Sequence, residues 1–139
     1  MNKHWIAFTL LGLSAFALRA EVINIDNAEL VRLAARGVPV IDIRTPGEWK
    51  DSGVIAGSRL LTYFDEAGNA NPPQWLEKAK AIAGPEQPVI LICRSGKRTG
   101  AATQFLSEQA RYKTVYNVSK GLNAWLAEGR PLVPPPAQP

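Results

Sequence analysis

Apolar positions along the chain alternate between short β-branched runs and longer stretches with a helical period. Residues 22–25 (VINI) predict a strand, and Asp26 with Glu29 three positions on is the start signal of a helix. In that helix Leu30, Val31, Leu33, Ala34 and Ala35 share a face, Arg32 and Arg36 lie opposite, and Gly37 ends it. Residues 39–44 (PVIDIR) predict a buried parallel strand whose end opens into a loop at Thr45-Pro46-Gly47. A turn over 53–58 leads to a short strand at 59–61, and the polar, breaker-rich stretch 65–73 predicts a surface loop. Asn71 before Pro72 starts a helix with Trp75, Leu76, Ala79, Ile82 and Ala83 on one face and Gly84-Pro85 as its stop. Residues 89–92 (VILI) form the most apolar strand. Cys93 follows it directly, then a loop, then a helix over about 98–109 with Ala101, Ala102, Phe105 and Leu106 facing inward. A strand over 114–118 and a short helix over 123–128, bounded by Gly121 and Gly129 and anchored in the core by Trp125, complete the pattern. The proline-rich tail from Pro131 is expected to fray.

Strands alternating with helices predict an α/β domain, a mostly parallel central sheet with helices on both faces. Ligands of such sheets bind beyond the carboxyl ends of the strands, where Cys93 and the segment from Asp42 to Arg44 both fall. The globular domain is read over residues 21–133, with 134–139 as a tail. Residues 1–20 stand apart: a basic start at Lys3, an apolar run from Ile6 to Leu18, then small residues, with no acid. That is the pattern of a cleaved secretory signal peptide, cut after Ala20 or after Ala17, and it leads to an expectation of a periplasmic protein. The run is too short for a spanning helix, which needs about 20 apolar residues, so no stable membrane association is expected after cleavage.

Composition sharpens the picture through what is missing. The chain of 139 residues has one histidine, His4, inside the leader, and one cysteine, Cys93. Without histidine in the mature part, Ser-His and Cys-His hydrolases and imidazole-based metal sites are excluded; neither a metal nor a cofactor is expected. A single thiol forms no internal disulfide, so in an exported protein it is either buried and inert or present for its chemistry. The formal net charge of +4 falls by two once Lys3 and Arg19 leave with the leader. The remaining balance is too mild for a nucleic-acid partner, and a soluble monomer is expected.

The one local concentration of positive charge is the stretch CRSGKRTG, residues 93–100. A thiol at the end of a buried strand is followed by five residues that wrap around it before a helix begins. Such a loop turns successive N–H groups inward, and with the positive end of the following helix it makes an anion site that favours a thiolate. Arg94, Lys97 and Arg98 add formal charge, Gly96 allows the curvature, and Ser95 and Thr99 can bond within the loop or cap the helix. The electrostatics thus do for the nucleophile what a histidine base does elsewhere.

These residues carry a family resemblance. IDIRTPGEWKDSGVIAGSRLL, CRSGKRTGAATQFL and VYNVSKGLNAWLAEGRPLV together resemble a single-domain rhodanese over nearly all of residues 22–133. The resemblance implies that Cys93 takes a sulfane sulfur from a small donor such as thiosulfate, holds it as a persulfide and passes it to cyanide or a thiol. It implies that Arg94, Ser95, Gly96, Lys97 and Arg98 surround the outer sulfur with amides and cations, and that Thr99 opens the helix. Asp42 and Arg44 match the family's D-x-R element, either as substrate contacts or as a strand-end ion pair. The chain departs from the family at Gly53-Val54-Ile55, where Gly-His-Ile is usual, and at Ser58, where Ala is common. Two other functions compete: a cysteine phosphatase, whose loop in related folds is one residue longer than CRSGKR, and a non-catalytic anion- or partner-binding module or persulfide carrier.

Overall fold

Side chains along the strand Val89–Ile92 point alternately to the two faces of the sheet, and that alternation builds the domain. The computed structural model describes Gly12 and residues 21–138. The expected leader therefore lies outside the described residues, apart from Gly12. In chain order the elements are β1 (Glu21–Ile25), α1 (Asn27–Ala35), β2 (Val40–Asp42), α2 (Pro46–Ser52), β3 (Arg59–Leu60), α3 (Pro72–Ile82), β4 (Val89–Ile92), α4 (Lys97–Glu108), β5 (Thr114–Val118) and α5 (Gly121–Ala127). The sheet runs β1-β5-β4-β2-β3 and every strand pair is parallel. This is the expected α/β architecture.

Val89, Leu91 and then Cys93 face one layer, where they meet Trp75, Ala79 and Ala83 of the α3 side and Ala102 and Leu106 of α4. Ile90 and Ile92 face the other, against Leu30 and Leu33 of α1 and Leu122 and Trp125 of α5. All four β4 residues are fully buried, as a central parallel strand covered on both faces requires. Chain direction then locates the site. From β2 the chain moves outward to β3, and from β4 it moves the opposite way to β5, so the carboxyl ends of β2 and β4 flank the switch point of the sheet.

Five local expectations need correction. Of the apolar face expected for α1, Leu30 and Leu33 are buried beside Asn27, whereas Val31, Ala34 and Ala35 are exposed. Residues 45–47 do not open a loop: Thr45 caps α2, with its side chain and that of Glu48 forming a reciprocal capping box and Pro46 at the first turn. Ala101 is exposed, while Thr99 and Thr103 are buried, because α4 turns its hydroxyl stripe toward the strand. The last helix begins at Gly121, earlier than Asn123. Finally, the tail is pinned at its start. Val54 and Val133 exchange two backbone hydrogen bonds of 2.8 Å, and the Trp125 indole donates to the Pro131 carbonyl at 3.0 Å. Val54, standing where a histidine is usual, is itself buried under this bridge.

Candidate active site

Cys93 ends the alternation of β4 and leaves the sheet with no exposed surface. The next residues curl back so that the Gly96 amide donates to its Sγ at 3.2 Å, and the Thr99 hydroxyl lies 3.5 Å from the same sulfur. Thr99 also donates to the Gly96 carbonyl at 3.1 Å, closing a small ring of contacts around the thiol. Gly96 is the N-cap of α4, in the left-handed region at φ +92°, and no side chain caps the helix. Ser95 and Thr99 therefore do not act as caps: Ser95 is exposed and Thr99 sits inside the first turn, buried against the sulfur. The positive end of a twelve-residue helix points at the loop.

The loop is held from behind by α5. Leu122 N donates to the Cys93 carbonyl at 2.9 Å and Asn123 N donates to the Arg94 carbonyl at 3.0 Å. That approach requires the absence of a side chain at Gly121, where an added Cβ would sit 2.5 Å from the Arg94 oxygen and 2.6 Å from the Cys93 oxygen. Gly96 is constrained in the same way against the Ser119 backbone. The Cys93 and Arg94 carbonyls are thus satisfied by α5, while the Gly96 amide faces the sulfur.

The three cations of the loop are placed differently. Arg94 and Lys97 are exposed and, among the described residues, form no ion pair. Arg98 is engaged: its Nη1 and Nη2 donate to the two carboxylate oxygens of Glu48 at 2.6 and 2.8 Å. Hydrogen bonding to Arg98 holds the Glu48 carboxyl below the usual carboxylate range, against the opposing effect of burial. The Glu48 bond in turn raises the guanidinium above its ordinary value, with smaller contributions from the charges of Cys93 and Asp42. Arg98, expected among the groups facing an anionic donor, has its charge largely matched from inside the protein.

Asp42 and Arg44 form the buried ion pair of β2. Arg44 donates to Asp42 through its backbone N, Nε and Nη2 at 2.8–3.2 Å, and reaches Ser52 Oγ at 2.8 Å and the Gly53 carbonyl at 2.9 Å. With the two side chains 1% and 3% exposed, the pair ties the end of β2 to the end of α2. Arg44 and Arg94 also border a cleft of about 300 Å³ with Glu48, Asp51, Ser52, Leu122, Asn123 and Leu126.

Among the described residues no cluster of His, Cys, Asp and Glu could hold a metal, and no helix is long and apolar enough to cross a membrane. The chemistry available is that of a lone thiol cradled by the Gly96 amide and the Thr99 hydroxyl. Residues 26–128 match the family model of the rhodanese-like domain. The chain belongs to the rhodanese-like family. It is 30% identical over 116 residues to rhodanese-like domain-containing protein 17 of Arabidopsis thaliana, covering 81% of this chain and 73% of that one. Thiosulfate sulfurtransferase 18 of the same plant is 27% identical over 124 residues, covering 87% and 90%. The crystal structure of Rv0390 from M. tuberculosis superposes with a TM-score of 0.66 at 22% identity, covering 84% of this chain and 99% of that one, a likeness of fold.

Two residues that shape this rhodanese-like site were not among those singled out from sequence. Glu48 had a visible signal, since Thr45-Pro46-Gly47-Glu48 has the spacing of a capping box with proline at the first helical position. Gly121 had none beyond being a glycine at a helix boundary, because its role depends on α5 docking against a loop 25 or more residues earlier.

Proposed function

We propose that the protein is a sulfurtransferase that moves a sulfane sulfur from thiosulfate or a similar small donor to cyanide or a thiol through a persulfide on Cys93. Membership of the rhodanese-like family and relatives named as thiosulfate sulfurtransferases support a sulfurtransferase-like role. The observation that carries the finer reading is the cradle itself, with the single thiol of the chain bonded to the Gly96 amide at the amino end of α4.

In the first half-reaction the Cys93 thiolate attacks the outer sulfur of thiosulfate. A sulfur–sulfur bond forms, the bond inside thiosulfate breaks, and sulfite departs with the electron pair. In the second, cyanide attacks the outer sulfur of the persulfide, a carbon–sulfur bond forms, and the Cys93 thiolate leaves as thiocyanate is released. The loop amides receive the negative charge carried by the outer sulfur, and the cations of the rim receive the charge of the donor. With Cys93 fully buried and its loop neighbours Arg94, Ser95 and Lys97 exposed, the site favours small anionic donors over bulky substrates. The test is steady-state kinetics with thiosulfate and cyanide. Ping-pong patterns are expected, with transfer abolished in Cys93→Ser; transfer at the wild-type rate in that variant would overturn the covalent route.

A further inference from the structure

The loop contains three cations, and of these only Arg98 meets a carboxylate among the described residues. Both carboxylate oxygens of Glu48 are used on Arg98, and Oε1 also accepts from the Thr45 hydroxyl at 3.2 Å and the Thr45 amide at 3.4 Å. This carboxylate is therefore fixed by the amino end of its own helix, α2. The far end of α2 is fixed by Arg44, which bonds Ser52 and Gly53. The Glu48–Arg98 pair joins residues 50 apart in sequence and is about three-quarters shielded from solvent on both sides. It differs in this from the open pairs Arg32–Glu29 and Lys113–Glu86, which are far more exposed.

We propose that Glu48 is a positioning residue. It holds Arg98 in a closed ion pair, so that Arg94 and Lys97, rather than Arg98, receive the charge of the anionic donor. This rests on the sulfurtransferase reading of the site. The argument is one of net charge. The intact pair presents little charge to an incoming anion, and its bidentate geometry holds the guanidinium against Glu48. Removing Arg98 alone does more than delete a cation. It leaves a fixed carboxylate beside an anion site, which repels thiosulfate. Removing both members deletes the pair without leaving either charge behind.

The sign pattern of a double-mutant cycle tests this, using Arg98→Met and Glu48→Gln, which keep side-chain size. With thiosulfate as donor, Arg98→Met is expected to lose at least tenfold in kcat/KM, mainly through a higher KM. The Glu48→Gln/Arg98→Met double variant is expected to recover at least threefold of that loss. With an uncharged organic trisulfide as donor, the penalty of Arg98→Met should fall below threefold, which a merely unfolded or loosened loop would not produce. A double variant no better than Arg98→Met, an Arg98→Met enzyme unchanged with thiosulfate, or an equal penalty with the uncharged donor would each overturn the proposal. If the wild-type protein transferred no sulfur from either donor, the failure would be that of the sulfurtransferase reading instead. Thermal melts of the three variants in parallel show that each is folded under assay conditions.

Discussion

Replacing Gly121 with alanine separates the contribution of the α5 contact to the active-site loop from everything else in the fold. The new Cβ would lie 2.5 Å from the Arg94 carbonyl oxygen and 2.6 Å from that of Cys93. An ordinary contact needs more than about 3.4 Å, so the loop or the helix must retreat by somewhat under an ångström. Two hydrogen bonds span that gap, Leu122 N to Cys93 O at 2.9 Å and Asn123 N to Arg94 O at 3.0 Å, and both stretch or break. At about 0.5–1.5 kcal/mol each they account for roughly 1–3 kcal/mol. The backbone at φ +58° adds about 1–2 kcal/mol for a residue with a side chain. The total is roughly 2–5 kcal/mol, which for a domain of this size lowers Tm by about 10–20 °C. Gly129→Ala is the internal control. It has φ +68° but nothing within 4 Å of an added Cβ, so it should show the backbone cost alone. The assay is urea unfolding of both variants, followed by sulfur transfer measured well below their midpoints. Gly121→Ala should lose at least about 1 kcal/mol more than Gly129→Ala and should transfer sulfur more slowly, because the Gly96 amide moves with the loop. Equal stability losses in the two variants would refute the idea that α5 props the loop.

Three further outcomes follow from the buried pairs and the tail. Asp42→Asn leaves the Arg44 guanidinium buried without its counter-charge and should cost about 3–5 kcal/mol in chemical denaturation; a loss under about 1 kcal/mol would show the pair to be solvated. Because Arg98 holds the Glu48 carboxyl below its ordinary value, the pair adds stability that is fully present above about pH 4.3, the unfolded pKa, and is lost as pH falls through the lower folded value. Wild type should therefore melt above Glu48→Gln at pH 7 and at pH 5, with the gap closing toward pH 3; a gap that widened in acid would contradict the assignment. Deleting residues 133–139 removes the two Val54–Val133 hydrogen bonds and uncovers Trp49, which borders the tail residues Pro135 and Pro136. A red shift in tryptophan emission and a loss of roughly 1–3 kcal/mol are expected, and an unshifted spectrum would show that Trp49 is buried by α2 and the sheet alone.

Local signals in the sequence account for most of the fold, because the strands are strongly apolar and the helix boundaries are chemically marked. Asp26, Asn71 and Gly37 act where their side chains or backbone freedom say they should. The region after β2 escaped for a physical reason. Thr45-Pro46-Gly47 combines a turn-forming triplet with a capping signal, and only the reciprocal Glu48 bond decides between them. Cys93 and its loop were legible as chemistry, since a thiol, a glycine and three cations fall within six residues. How those cations are shared was not. The partner of Arg98 lies 50 residues earlier on a helix from another strand connection, and no spacing rule links the two. The exposed or buried fate of Ala101 and Thr99 likewise depends on which stripe of α4 meets the sheet, where small hydroxyl residues fit against the end of β4 as well as alanine would.

The central claim is that sulfur resides covalently on Cys93, and intact-protein mass spectrometry tests it most directly. After brief exposure to thiosulfate and removal of excess donor, the protein should gain the mass of one sulfur atom. Cyanide should remove that mass with release of one equivalent of thiocyanate, and Cys93→Ser should gain nothing. A wild-type chain that turns over thiosulfate and cyanide yet never gains the mass, or a Cys93→Ser chain that gains it, would contradict the account.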